Sequence, residues 1–284
     1  MTAAASVVRG AGAVRRAWRV WLLVWAATLG FALLLAAPAA ALLYGRLGHS
    51  LYAGRLFDNF DIQWLAELRL ETGNTLPLAA ATAIALVAGG YLLLIAFLYG
   101  GALAVFGGSG DFWPGCARNF WKLLRLLLLS LVSYAAVCAV YLELGQAGDR
   151  LFGQGMAERP VVIFGWVRAG VALLMFLFLN MVFDYAKIRT VSEDRRDPVD
   201  AVLDSFRFVA RHWAATVGTY ALVSVLAAGL AAVYWMLSGA LPKTSLPWLV
   251  VAFVLQQAFV CGRVGVKLLY LAGQTEVWQR FGAR

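Results

Sequence analysis

Apolar residues along this chain gather into six long runs, at about 18–44, 76–106, 120–144, 160–188, 213–239 and 246–272. Each exceeds the ~20 apolar residues that a helix needs to cross a hydrocarbon core. The pattern predicts an all-α membrane protein, with six transmembrane helices in one polytopic domain covering 1–284. The first apolar stretch, from about Val20 to Leu43, follows Arg9, Arg15, Arg16 and Arg19 and carries "AAPAAA" near its end, which imitates a signal peptide with its cleavage site. Its length surpasses the ~7–15 residues of a signal core, so it reads as a retained first span.

The polar breaks before the odd-numbered spans share a pattern. "AVRRAWRVWLLVW" from Ala13, "GCARNFWKLLRLLLL" from Gly115 and "FRFVARHWAATVG" from Phe206 each interleave basic and aromatic residues and then turn apolar. This reads as one unit used three times: an interfacial elbow helix, a span, a loop and a returning span. Inner elbow helices are expected at about 112–122 and 198–212. In the latter, Asp197 before Pro198 makes a helix start. Val199, Val202, Leu203, Phe206, Val209 and Trp213 form an apolar stripe, with Asp200, Asp204, Arg207 and Arg211 opposite. Such a helix lies along a membrane surface, and Arg118, Trp121, Arg207, Arg211 and Trp213 are the expected membrane anchors.

The loop between the first two spans is the longest. Within it Leu56, Phe57, Phe60, Trp64, Leu65 and Leu68 keep helical spacing, with Asp58, Asp61, Glu67, Arg69 and Glu71 between them. An amphipathic helix is expected at about 55–71, covering span ends or forming a lid, and Phe57, Phe60 and Trp64 are its candidate partner face.

Composition sharpens this picture. The chain is 62% hydrophobic and 14% charged, too few charges for a water-facing surface, where about 25% is usual. Of the 24 Lys and Arg, 17 fall on the side that carries both termini. The positive-inside rule therefore makes the termini cytoplasmic. The net charge of +9 needs no nucleic acid, because anionic headgroups attract bases at cytoplasmic span ends. Cys116, Cys138 and Cys261 lie in or beside apolar runs without CxxC spacing, which suits packing residues and gives no metal or disulfide pattern.

Catalytic signatures are missing: there is no Walker motif, HExxH or GxSxG, and no cofactor motif. A pair of His49 with Asp58 or Asp61 can be drawn, but sequence proximity alone does not make an acid–base site; the chain is not expected to be an enzyme. Ionisable and amide groups within spans carry more information, because charge in hydrocarbon is costly and usually paired. Asn180, Asp184 and Lys187 lie near the end of the fourth span; Gln256, Gln257, Arg263 and Lys267 descend through the sixth. Counted at ~1.5 Å per residue from the outer ends, Asp184 falls ~36 Å down, Arg263 ~26 Å and Lys267 ~32 Å. Asp184 is therefore expected to meet Arg263 or Lys267 if the helices touch. The cluster Asp184, Arg263, Lys267, Asn180 and Gln257 is either a static ion pair with snorkelling bases or an inner vestibule for an anionic headgroup or solute. Gly89, Gly90, Gly100, Gly101, Gly107 and Gly108 suit close helix packing.

The alternation of "FWPGCARNFWKLLRL" and "DYAKIRTVSEDRRDPVDAVLDSFRFVARHW" with paired spans resembles certain bacterial six-span membrane proteins. It is also similar to the membrane region attached to some glycerophosphodiester phosphodiesterases. The resemblance implies a helical bundle in a bacterial inner membrane and supplies no catalytic residues. Two functions remain open: a scaffold or accessory subunit binding lipid, another membrane protein or a second copy, and a permease or lipid-translocating protein.

Overall fold

The computed structural model describes residues 3–47, 75–108, 110–152, 158–195, 197–242 and 246–282. Among them are eight helices: α1 (Ala3–Arg16), α2 (Trp18–Leu47), α3 (Thr75–Phe106), α4 (Phe112–Phe152), α5 (Glu158–Ser192), α6 (Pro198–Arg211), α7 (Trp213–Ala240) and α8 (Leu246–Phe281). α2, α3, α4, α5, α7 and α8 are each long and apolar enough to cross a membrane. The chain is thus an all-α membrane protein. It divides into a larger unit, Met1–Leu22 with Ala96–Arg284, and a smaller one, Leu23–Ile95. In the smaller unit, Gly90 lets the Phe31 ring approach α3, since a Cβ there would stand 2.8 Å from it. The expected helix at 55–71, with Phe57, Phe60 and Trp64, and His49 with its paired acids, lie outside the described residues.

α1 and α6 are short elbows that break just before a span. At Ala17 the N–H donates to Ala13 O, and Val20 and Trp21 donate back to Ala17 O. His212 repeats the arrangement with Phe208, Ala215 and Thr216. The two helices also bury matching positions: Ser6, Gly10 and Val14 of α1 correspond to Ala201, Ser205 and Val209 of α6 at one constant spacing along the chain. The likeness of the first and third copies is therefore written in the backbone as well as in composition. α6 starts where its sequence predicts, with Asp197 Oδ1 accepting from Val199 N at 3.0 Å.

The elbow at 112–122 differs: it is the first part of one 41-residue helix, α4, that continues through the span. No glycine or proline falls between Cys116 and Leu144, and Pro114 sits in the first turn, where a proline removes no helical hydrogen bond. Nothing in that stretch stops the helix.

Each elbow seats on a returning span through small residues. Gly10 of α1 meets α8 so closely that a Cβ would lie 2.8 Å from Gly273 N. Gly115 of α4 faces Ala104 of α3, and a Cβ on Gly101 would meet Cys116 Sγ at 2.5 Å. α6 packs against α5, with Ser205 and Ala186 both buried. Such crossings bring backbones together, which is how membrane helices gain packing energy when lipid offers no hydrophobic drive.

The protein-packed core of the larger unit lies near the helix ends on the side of the termini, with Leu103, Phe183, Ile188, Val209, Leu268 and Leu271 buried. The opposite halves of α5, α7 and α8 expose Trp166, Leu174, Val225, Trp235 and Val254. Apolar side chains there face acyl chains without penalty.

The apolar stripe predicted for α6 faces mainly outward: Val199, Leu203, Phe206 and Trp213 are exposed, and of its members only Val209 is buried. Ala201, Ser205 and Phe208, outside that stripe, join Val209 in seating on protein. A surface helix packed on a bundle needs one face for lipid and another, smaller in side-chain volume, for the neighbouring helix.

Candidate functional site

On α5, Asn180, Asp184 and Lys187 follow i, i+4, i+7 spacing and share a face. Asp184 is only 9% exposed, and its Oδ1 accepts from Lys187 Nζ at 2.8 Å. The expected pairing of Asp184 with Arg263 or Lys267 is therefore corrected. A lysine three residues away on the same helix face satisfies the carboxylate locally, without needing two helices in register. Arg263 and Lys267 are exposed and form no ion pair with any described residue.

Asn180 ties three helices together. Its Oδ1 accepts from Tyr134 of α4 at 3.4 Å, and its Nδ2 donates to Tyr220 of α7 at 2.7 Å. Tyr220 packs on Tyr270 of α8 with ring centroids 5.0 Å apart, and Tyr270 shares a 2.5 Å hydrogen bond with Ser224. Asp184 stands one turn along α5 from Asn180, on the same face. A polar belt thus crosses α4, α5, α7 and α8 just above the packed core.

On α8, Arg263, Lys267, Tyr270 and Gln274 follow i, i+4, i+7, i+11 spacing, so the two free bases stand on the same face as a belt tyrosine. Gly273, where elbow α1 crosses, marks the level of the surface helices. At ~1.5 Å per residue, Lys267 lies ~9 Å and Arg263 ~15 Å above that crossing. At such depths a base exposed to acyl chains would carry a large desolvation cost, so these two require water, a carboxylate or a phosphate. Gln257, higher on α8, has its Oε1 buried without a protein partner and joins none of the hydrogen bonds of the belt.

The anchor residues occupy the side of the termini. Trp121 and Trp213 are exposed, as are Arg118 and Arg211. Arg207 donates to Asp204 at 3.3 Å. Sequence reasoning missed the surface network around them: Lys122 of α4 bonds Asp194, and Arg189 of α5 reaches Asp204 of α6 at 3.1 Å. Arg189 also stands 5.3 Å over the Trp278 ring. Glu193 accepts from Arg189 at 3.0 Å and Arg195 donates to Asp204 at 3.3 Å, so the turn between α5 and α6 is bound to α4, α5 and α6. Among the described residues, no group of three His, Cys, Asp or Glu is arranged to hold a metal.

No protein family, no curated protein and no solved structure matches the chain.

Proposed function

We propose that this chain is a non-catalytic bacterial inner-membrane protein, a scaffold or accessory subunit that binds lipid, with an anionic headgroup held by Arg263 and Lys267. The observation that carries the reading is that both bases are exposed at depth on α8 with no ion pair among the described residues. A phosphate beneath the headgroup layer meets their charge, and Tyr270 on the same face offers a hydroxyl. Cytoplasmic termini fit this reading, since the basic excess sits on their side.

Thermal unfolding in detergent tests it. Added phosphatidylglycerol raises the midpoint of the wild-type protein, because a ligand of the folded state stabilises it by mass action. Arg263→Leu with Lys267→Leu abolishes that shift, whereas phosphatidylcholine raises neither. An equal phosphatidylglycerol shift in the double variant sinks the proposal.

The second reading, a permease or lipid-translocating protein for an anionic solute or headgroup, draws on the same stripe, because it runs from Arg263 to Gln274 rather than ending at a single site. It requires substrate flux in vesicles that the same double variant abolishes.

A further inference from the structure

α4 and α5 form one hairpin of spans, α7 and α8 another, and each stays closed well above the polar belt. In the first, Phe176 packs on Tyr134 with ring centroids 5.7 Å apart. Two turns higher, Arg168 stands 4.3 Å over the Tyr141 ring, and beyond it Phe164 lies against Gly148. In the second, a Cβ on Gly262 would stand 3.1 Å from Leu230, and Tyr234 stacks on Phe259 with centroids 4.3 Å apart.

The hairpins meet in the half near the termini. Arg189 of α5 stands over Trp278 of α8 at 5.3 Å. Nine residues higher, Asn180 bonds Tyr220, which packs on Tyr270, eight residues above Trp278. These two levels run α5 and α8 side by side in one direction, so Leu177 comes level with Lys267 and Leu173 with Arg263.

Above the belt the facing sides separate. Asn180, Ile188 and Val191 mark the face of α5 turned toward the second hairpin, since Ile188 and Val191 line one cavity with Thr275 and Trp278 of α8. Leu177 and Leu173 continue that face upward by helical spacing, yet they are 43% and 59% exposed. Arg263 and Lys267, three turns and more above Trp278 on the α5 side of α8, are exposed too. Helices in contact at this level would bury these side chains. α5 therefore keeps α4 and leaves α8, opening a cleft with leucines on one wall, two bases on the other, and Asn180, Tyr220 and Tyr270 as its floor.

We infer that an anionic phospholipid from the leaflet on the side of the termini intercalates in this cleft, its headgroup on Arg263 and Lys267 and an acyl chain rising along Leu177 and Leu173. The inference rests on the headgroup reading above and adds where the lipid lies. A phosphate gives both bases charge-assisted bonds. The leucine wall offers a phosphate nothing, but gives an acyl chain close contact. A soluble anion would leave that wall against water, which apolar surface disfavours, so the two walls together select an amphiphile. The belt closes the floor, and the chain can run only toward the opposite side.

Carbene photolabelling of the full chain in lipid nanodiscs tests it. Two probes carry the same mid-chain diazirine, one a phosphatidylglycerol and the other a phosphatidylcholine. Val225, 69% exposed on the face of α7 away from Tyr220 and Leu230, reports the surrounding bilayer. The phosphatidylglycerol probe is expected to label Leu173 and Leu177 several-fold more than the phosphatidylcholine probe, with equal labelling at Val225. No such excess overturns the inference, and the wild-type protein alone decides this. In Arg263→Leu with Lys267→Leu the excess is expected to vanish. An excess that survives there keeps a lipid in the cleft and overturns its hold by the two bases, and with it the headgroup reading. A phosphatidylglycerol midpoint shift that depends on both bases, without excess at the leucines, keeps the headgroup reading and overturns the cleft.

Discussion

Asp184 and Lys187 show how a single side chain sets the character of a membrane helix. With side-chain exposures of 13% and 26%, the pair lies between a surface ion pair, at ~1 kcal/mol or less, and a buried one, whose breaking costs ~3–5 kcal/mol. Asp184→Asn leaves Lys187 charged and partly buried, and is expected to destabilise by about 1–3 kcal/mol in detergent unfolding. Adding Lys187→Met recovers part of that loss. No recovery would mean that Asp184 acts through the tyrosine belt instead. The importance of Asn180 and Asp184 was legible in the sequence because each interrupts an apolar run. Tyr134, Tyr220 and Tyr270 were not, because tyrosine counts as apolar in a hydropathy reading although its hydroxyl needs a partner when buried. The identity of Asp184's partner was misread because the candidate bases on another helix drew attention from Lys187 on the same face.

At the scale of elements, close crossings by glycine set where the elbows sit. Gly10→Val drives a side chain into the Gly273 backbone, which cannot yield as a flexible side chain would, and is expected to cost about 1–3 kcal/mol. Gly12, on the same helix, has nothing within 4 Å of its would-be Cβ. Gly12→Ala should therefore be neutral or raise stability by up to ~1 kcal/mol through helix propensity. Thermal unfolding of the two variants side by side checks this; equal effects would place the value of Gly10 in its backbone freedom rather than in contact. Asp197→Ala removes the cap of α6 and is expected to cost ~1 kcal/mol, read in the same assay. The start of α6 was visible in the sequence from Asp197 and Pro198. The fusion of the second elbow with its span was not, because the basic and aromatic pattern of an interfacial segment says nothing about whether the backbone breaks. The absence of glycine and proline between Cys116 and Leu144 carried that information.

At the scale of the whole molecule, hydropathy was enough for the six spans, because the bilayer demands long apolar helices whatever else the chain does. It could not reveal which halves of those helices pack on protein, since buried and lipid-facing residues are equally apolar; small residues such as Gly10, Gly101 and Gly273 were the available signal. The proposed orientation, with cytoplasmic termini, rests on the placement of Lys and Arg and has a direct check. With the native cysteines replaced, Asp200→Cys on α6 should resist an impermeant thiol reagent in intact spheroplasts and react in inverted vesicles. The reverse pattern would place the termini outside.

The central claim is that Arg263 and Lys267 hold an anionic lipid. Native mass spectrometry of the wild-type protein and of Arg263→Leu with Lys267→Leu, both extracted gently from their own membrane, tests it most directly. The wild-type protein is predicted to retain a phospholipid of anionic headgroup that the variant loses. Retention of the same lipid by the variant, or a wild-type protein carrying only a stoichiometric protein companion and no lipid, would contradict the assignment.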